Sequence, residues 1–485
     1  MPKQNYSLLY LFNAVVLIFI VTAFLDRVVQ EGMFFDGVTY AAISRNLAIG
    51  KGSFWDVYYR GPWRFSEHPT LMFGLQAGFF KILGDSYYTE RVYCFVVWLL
   101  TIGSMFALWQ RTTKNSDARK AFALPLLCWA IMPSVIWSYP NNLLDTNMAL
   151  FNLWAVYFLY RAMDEQRYTV LNLLAGGICI LLATLTKGPI GFFALALPLV
   201  YWVVYRNQSL GKTILKSIVP AVVLVVAYWL LFQYEPSKIC LSEYLNEQLF
   251  KAIAGKRDVV DSPLGRFQLL ADICIQALPA GILAIILIGV AKYFELNIAK
   301  HSADRRLSVF YLLLTLCGSL PIMISLKQRT FYLTPIFPYL AFALALAILP
   351  YFTTIMMRIR IPLQNKTVNA TIAIAVLACG IYISGKFGKA GRDEDLLSDI
   401  RQLQKCLPKG ERIGVCSVMD KDFRFLAYIQ RYHQLEVNLQ YHKARYVLID
   451  KTICRGSFDV CLPKLGYAVT SIPFRQYSLY KRIIR

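Results

Sequence analysis

The sequence is poor in charged residues, and acidic residues are the scarcer kind. Asp, Glu, Lys and Arg make up 16% of the 485 residues, whereas a soluble globular chain carries about 25%. This shortage excludes an ordinary soluble surface. It also excludes intrinsic disorder, which needs low hydrophobicity and dense charge. With 27 glycines and 20 prolines, the chain lacks the composition of collagen-like or low-complexity proteins.

Long apolar stretches take the place of charge. Hydrophobic residues make up 57% of the chain, and the mean hydropathy is +0.47. Because a membrane-spanning helix needs about 20 mostly apolar residues, we predict a polytopic α-helical membrane protein with about eleven spans, give or take about two. The spans lie near 8–25, 91–109, 121–139, 144–160, 169–186, 189–205, 214–233, 267–290, 307–326, 331–352 and 367–385. Asp26 and Arg27 follow the first span instead of a small-residue cleavage site, so we expect that span to be retained.

Basic residues set the predicted orientation of these spans. They fill alternate loops, which the positive-inside rule assigns to the cytoplasm together with the N-terminus. Segments 26–89, 140–143, 187–188, 234–266 and 327–330, and everything after residue 386, are then predicted on the outer side. These loops and anionic lipid account for the net charge of +22. No nucleic-acid motif accompanies the charge, so we expect no nucleic-acid partner.

The outer segment 26–89 is predicted to hold two short interfacial helices. Asp36 is suited to cap the first helix. Arg45 and Asn46 are expected to face away from its apolar side, which carries Tyr40, Ile43 and Leu47. The second helix falls in residues 69–83, an apolar stretch too short to span a membrane.

The tail, residues 387–485, reads as a small soluble α/β domain that follows a transmembrane domain of residues 1–386. Its pattern predicts a helix over 393–406 and strands over 412–418 and 445–449. In an oxidising compartment an even number of cysteines predicts two disulfides, here of unknown pairing. The alternative is four unpaired thiols. The cysteines concerned are Cys406, Cys416, Cys454 and Cys461.

Unusual polar residues collect on the predicted outer side. They are Asp36, Glu67, His68, Asp145, Lys187, Lys327 and Arg329. Cations of this kind suit a lipid-linked phosphate, whose developing charge they stabilise as it leaves. A carboxylate suits proton removal from an acceptor hydroxyl. Sugar transfer from a polyprenyl phosphate needs both, and it needs no nucleotide-binding motif, consistent with a sequence that has neither a P-loop nor GxGxxG.

Each of these residues also has a plainer explanation. Asp36 and Asp145 could serve only as helix caps. Lys187 could satisfy the carbonyls at a helix end or snorkel to the interface. His68 could be a solvated loop residue, and Lys327 and Arg329 could be ordinary loop charges.

In their order and common sidedness these residues resemble the GT-C integral-membrane glycosyltransferases. The nearest branch is the protein O-mannosyltransferase and lipid A aminoarabinose transferase (ArnT-like) group, and the resemblance runs over most of residues 1–385. It is carried by Asp36 with Tyr40, Ala41 and Arg45; by Glu67-His68-Pro69; by Asp145; by Thr186-Lys187-Gly188-Pro189; and by Lys327 with the run from Tyr332 to Pro338.

The resemblance implies roles for these positions. Asp36 is the expected base, and Asp145 is a second acidic or orienting group. The expected partners of the donor phosphate are His68, Lys187, Lys327, Arg329 and, more weakly, Arg257. Glu67 is a further acidic candidate, and with His68 it could contribute to the divalent-metal site of some relatives, although two adjacent residues alone do not make one.

Two departures from the family pattern concern the acceptor. Gly37 stands where relatives often carry a second acidic residue, and Thr70 stands where they carry a second proline.

The resemblance further implies a monomeric enzyme of the bacterial inner membrane. It would move a sugar from undecaprenyl phosphate, with inversion, to lipid A, another glycan or a protein on the periplasmic side. Three alternatives stay open: a glycan polymerase or ligase that uses a diphosphate-linked donor, an ion-coupled transporter and a non-catalytic assembly protein. A transporter is expected to place its ionisable residues near the bilayer midplane, whereas here they lie at one end of the predicted spans.

Overall fold

The apolar stretches fold into long helices. The computed structural model describes residues 6–114, 116–256, 263–298, 302–325, 327–358, 365–454 and 457–483. Up to residue 384 its helices are α1 (Tyr6–Val28), α2 (Phe35–Ala48), α3 (Leu71–Leu83), α4 (Thr89–Thr112), α5 (Ala123–Ala130), α6 (Pro133–Ser138), α7 (Leu144–Asp164), α8 (Thr169–Lys187), α9 (Leu197–Tyr205), α10 (Leu210–Gln233), α11 (Glu235–Tyr244), α12 (Lys251–Ile253), α13 (Gln268–Tyr293), α14 (Ser302–Ser319), α15 (Phe337–Arg358) and α16 (Asn365–Ser384).

All eleven segments predicted as spans are helical, but fewer of them are both long and apolar enough to cross a membrane. Within the described residues eight helices are, and a bent pair of helices makes a ninth. Helix α7 is not apolar enough because it carries polar residues, most of which are buried against α4 and α8. The segment Pro189–Tyr205 is too short. Burial inside the bundle therefore accounts for the polar helix α7, whereas the second segment is apolar but short.

The predicted span 121–139 is broken. Helices α5 and α6 meet at an angle of 76°, with Pro133 in the first turn of α6. Proline cannot donate the backbone hydrogen bond that would continue a helix. A 3₁₀ turn, Tyr139–Asn141, then leads to Asn142, which has a left-handed backbone (φ 54°) just before α7.

The outer segment contains the two predicted short helices joined by a small sheet. The sheet is antiparallel, in the order β1 (Gly52–Ser53), β2 (Asp56–Arg60), β3 (Trp63–Arg64). Helix α2 has no solvent face, contrary to expectation, because Arg45 and Asn46 are as buried as its apolar residues. Helix α3 keeps exposed apolar side chains, including Ile82 and Leu83.

The C-terminal domain is a five-stranded sheet with helices. It comprises α17 (Glu394–Cys406), β4 (Arg412–Val415), α18 (Phe423–His433), β5 (Glu436–Asn438), β6 (Tyr446–Asp450), α19 (Ser457–Lys464), β7 (Tyr467–Val469) and β8 (Tyr477–Arg482). The strand order is β5-β4-β6-β8-β7; β4 is parallel to β5 and β6, and β8 is antiparallel to β6 and β7. The helix α17 and the strands β4 and β6 lie where the sequence predicts them.

One of the two predicted disulfides is present. Cys416, just after β4, is bonded to Cys454, which follows β6. The second disulfide was wrong, because Cys406 and Cys461 are free. The Cys406 thiol donates to a carbonyl in its own helix, that of Gln402, whereas the Cys461 side chain is exposed on α19.

Candidate active site

The centre of the site is a buried ion pair between α7 and α8. Lys187 is the last residue of α8, and Asp145 lies in the first turn of α7. The Lys187 ammonium lies 2.6 and 2.5 Å from the two Asp145 carboxylate oxygens, and the side chains are 7% and 1% exposed. The Asp145 carboxylate therefore binds a lysine instead of only capping its helix. The Lys187 ammonium is likewise paired with this carboxylate and does not extend to the membrane interface.

Two aromatic rings cover the same ammonium. The Lys187 Nζ atom lies 4.1 Å from the centre of the Tyr332 ring and 5.2 Å from that of the Phe331 ring. Both rings come from the 3₁₀ turn Thr330–Ile336. An ammonium over an aromatic face is attracted by the ring quadrupole, and more strongly where water is excluded. The turn that follows Lys327 and Arg329 is thus packed directly on the ion pair.

The first turn of α2 brings Asp36 to this centre. The cap position is Phe34, and no side chain caps the helix end. The Phe34 amide instead donates to the Asn141 side-chain oxygen (2.6 Å), and the Asn142 side chain donates to the Gly37 carbonyl (2.9 Å). These bonds flank Asp36 and tie it to the turn before α7. The plainer explanation, that Asp36 caps α2, does not hold.

The Asp36 carboxyl has an unusual proton affinity for an aspartate. Burial raises its pKa from 3.8 to about 6, an effect that Lys187 and Lys327 oppose and that Glu67 and Asp145 reinforce. Four other predicted site residues therefore lie near enough to influence the Asp36 carboxyl. A pKa near 6 suits a base that works close to neutral pH.

The other predicted site residues are less buried than Asp145 and Lys187. Glu67 is exposed, and His68 is partly buried, with its ring 5.9 Å from the Tyr40 ring. Lys327 is partly buried, whereas Arg329 is exposed. Arg257 lies outside the described residues.

Several residues that hold the site could not be identified from sequence. Tyr244 of α11 donates a hydrogen bond to the Lys187 carbonyl (3.2 Å). Asp272 of α13 accepts one from Thr330 (2.8 Å) and so anchors the loop after Lys327. Asn142 binds both Gly37 and, at 2.7 Å, the amide of Gln76 on α3. Their only sequence signal is a polar side chain inside or beside an apolar stretch.

The residues present do not fit the metal site considered above. Within the described ranges no three His, Cys, Asp or Glu side chains group closely enough to hold a metal ion. Glu67 is exposed, while His68 packs against aromatic rings.

Comparisons with known proteins concern the fold and part of the sequence. Residues 67–232 match the family model described as dolichyl-phosphate-mannose-protein mannosyltransferase. No curated protein matches the chain by sequence.

Two solved structures are similar over almost their whole length. The crystal structure of ArnT from Cupriavidus metallidurans bound to undecaprenyl phosphate has a TM-score of 0.64 and 15% identity, covering 97% of each chain. The apo state of the same protein has a TM-score of 0.63 and 16% identity, with the same coverage. The predicted GT-C fold is confirmed, and so is the resemblance to the ArnT-like group.

Proposed function

We propose that this chain, with the fold of ArnT and a mannosyltransferase-family match over residues 67–232, is a glycosyltransferase. It takes a sugar from a polyprenyl phosphate, of which undecaprenyl phosphate is the expected form, and passes it to a lipid, glycan or protein acceptor. The proposal is supported by the fold and family match and by the group of carboxylates and lysines around Asp36.

The observation that carries the proposal is the state of Asp36. Its carboxyl is near enough to the buried Asp145–Lys187 pair for both side chains to affect its pKa, which burial raises to about 6. At pH 7 most of the carboxyl is ionised, yet it binds a proton far more readily than an aspartate in water. These are the properties of a general base for a hydroxyl acceptor.

The transfer proceeds in one displacement. The acceptor hydroxyl gives its proton to an Asp36 oxygen while the hydroxyl oxygen forms a bond to the anomeric carbon of the sugar. The bond from that carbon to the phosphate oxygen breaks, and its electron pair leaves with the phosphate. The negative charge thus moves from Asp36 to the polyprenyl phosphate, and the anomeric centre is inverted.

The lysines stabilise the charge that appears on the phosphate. Lys187 and Lys327 lie near enough to lower the Asp36 pKa, so they also act on a phosphate bound next to it. Asp145 fixes the Lys187 ammonium in one place. His68 and Arg329 are further phosphate partners at the edge of the site, and Glu67 is the second acidic candidate.

The proposed donor also determines on which side of the membrane the site is expected to lie. A polyprenyl donor keeps its tail in the membrane and presents its sugar at one surface. We place the site and the C-terminal domain on the periplasmic side of the inner membrane, and the N-terminus in the cytoplasm, because the basic loops lie at the other ends of the helices.

Purified protein should be assayed with radiolabelled sugars on polyprenyl phosphate and with outer-membrane lipid, glycan and protein fractions as acceptors. We expect label in one acceptor fraction and a fall in turnover of about 10²- to 10⁴-fold in Asp36→Asn. Transfer only from a diphosphate-linked glycan would favour a polymerase or ligase. No transfer from any donor, with ion-dependent uptake into vesicles, would favour a transporter.

A further inference from the structure

One of the contacts between the C-terminal domain and the helix that carries Asp36 is made by α18. This helix packs on α2, which carries Asp36. Nine of its 11 residues are buried, from Phe425 to His433. A helix enclosed on nearly all sides holds a fixed position relative to its neighbours, because protein interiors are closely packed. The contact between α18 and α2 is therefore a rigid one.

The Tyr428 side chain ends at the backbone that leads into α2. Its hydroxyl accepts a hydrogen bond from the Met33 amide (2.9 Å) and lies 2.9 Å from both the Met33 carbonyl oxygen and a carboxylate oxygen of Asp393. A phenol has one proton to donate, so it serves one of these two acceptors at a time. Met33 is 1% exposed and Tyr428 is fully buried. Met33 lies about one helical turn before Asp36.

The other end of α2 is held by the same helix. The Arg45 guanidinium donates to the Gln430 carbonyl (2.8 Å) and the Arg431 carbonyl (3.3 Å) in the last turn of α18. These carbonyls have no partner within their own helix, and a cation there also complements the helix dipole. Arg45 is 1% exposed. Helix α18 thus binds α2 on both sides of the active-site turn.

A third contact fixes α18 to the transmembrane part. The Arg431 side chain lies 2.6 Å from an Asp85 oxygen and 2.7 Å from a Glu90 oxygen. Asp85 lies between α3 and α4, and Glu90 is in the first turn of α4. Arg431 is 2% exposed, so the loss of one partner from this network would leave a buried charge without compensation.

We infer that α18 is a positioning element of the active site, and that the Tyr428 hydroxyl, by holding Met33, sets the position of the Asp36 carboxylate. The C-terminal domain is then part of the catalytic framework and not only a cover. Without the hydroxyl, the buried Met33 amide loses its acceptor, and α2 shifts to satisfy it. The inference rests on the proposed role of Asp36.

Tyr428→Phe in the full-length protein tests the inference. The matched control is Tyr467→Phe, which removes another buried hydroxyl of this domain. That hydroxyl lies 2.6 Å from the Ala444 carbonyl oxygen and 3.0 Å from the Tyr441 carbonyl oxygen, and neither residue belongs to α2. We expect kcat in Tyr428→Phe to fall about 10- to 100-fold with an unchanged KM for the donor. The control should keep its kcat.

Hydrogen exchange gives a readout that does not depend on activity. Amides 33–40 should exchange faster in Tyr428→Phe than in wild type and in the control. Equal exchange of these amides in both variants would overturn the inference, as would an unchanged kcat in an active enzyme. If the wild type transfers no sugar, the proposed function fails, and exchange alone decides whether Tyr428 positions α2.

A second variant keeps the test decisive if Tyr428→Phe does not fold. Arg45→Lys keeps the charge but not the planar group that reaches two carbonyls at once. We expect the same loss of kcat and the same faster exchange in α2. Wild-type values for both would contradict the positioning role of α18.

Discussion

A Cβ atom on Gly37 would lie 2.0 Å from the Asn141 carbonyl oxygen. Helix α2 and the turn before α7 therefore touch backbone to backbone, directly beside Asp36. This contact explains one departure from the family pattern. The second acidic side chain that relatives often carry at this position has no room here.

We predict that Gly37→Ala forces α2 away from Asn141. Overpacking of this kind destabilises a protein by about 1–3 kcal/mol, and it moves Asp36, so both the melting temperature in detergent and the turnover should fall. Gly78→Ala in α3 is the control, because a Cβ there meets nothing within 4 Å. Equal melting temperatures and activities in the two variants would show that the contact has no structural importance.

The Asp145–Lys187 pair should behave as one unit. Removing either partner leaves a buried charge, which typically costs about 3–5 kcal/mol. We therefore expect Asp145→Asn and Lys187→Met each to lower the melting temperature, and the double variant to lower it by less than the sum. The exposed pair Lys238–Glu235 provides the comparison, since surface pairs contribute only about 0–1 kcal/mol. Additive effects in the buried pair would contradict this prediction.

Local patterns were sufficient to predict most of the fold. Apolar stretches of the right length predicted the helices, and short apolar runs in the tail predicted β4 and β6. The predicted sidedness of the loops placed Asp36, Asp145 and Lys187 on one side of the membrane, and in the structure Asp145 and Lys187 are paired. The break at Pro133 was missed, because the apolar run continues through it without a change in composition.

Contacts between distant segments could not be predicted. Arg45 and Asn46 look like the solvent face of α2, yet they are buried because α18 and the small sheet supply partners for them. The Lys187 ammonium lies under Tyr332, and Tyr428 holds Met33 across 395 residues of sequence. None of these pairs produces a local pattern in the sequence that would predict it, because each contact depends on how the helices pack.

The single disulfide can be tested by mass spectrometry. We expect non-reduced digests to contain a peptide that links Cys416 to Cys454, and we expect Cys406 and Cys461 to be alkylated without reductant. The geometry predicts this because only the first two thiols follow neighbouring strands. A peptide that links Cys406 to Cys461 would contradict this prediction and would require α17 and α19 to move towards each other.

The orientation in the membrane can be tested by labelling engineered cysteines. Ser66 lies in the outer segment that contains the site, and Ser302 begins α14 in a stretch rich in basic residues. We expect a membrane-impermeant reagent to label Ser66→Cys in intact spheroplasts and Ser302→Cys only after lysis. Labelling of both from one side would contradict a periplasmic active site.

The pH dependence of Asp36 is the sharpest test of its role. Its pKa is raised from 3.8 to about 6, so the base form is present above pH 6, and turnover should fall about tenfold per pH unit below it. Because the folded state binds the proton more tightly than the unfolded state, wild-type stability should decline as pH rises from 4 through 6. Asp36→Asn carries no charge there, so its melting temperature should lack this decline and equal or exceed that of wild type at pH 8. Turnover that is flat through pH 6 would assign the base to Asp145 or Glu67 instead.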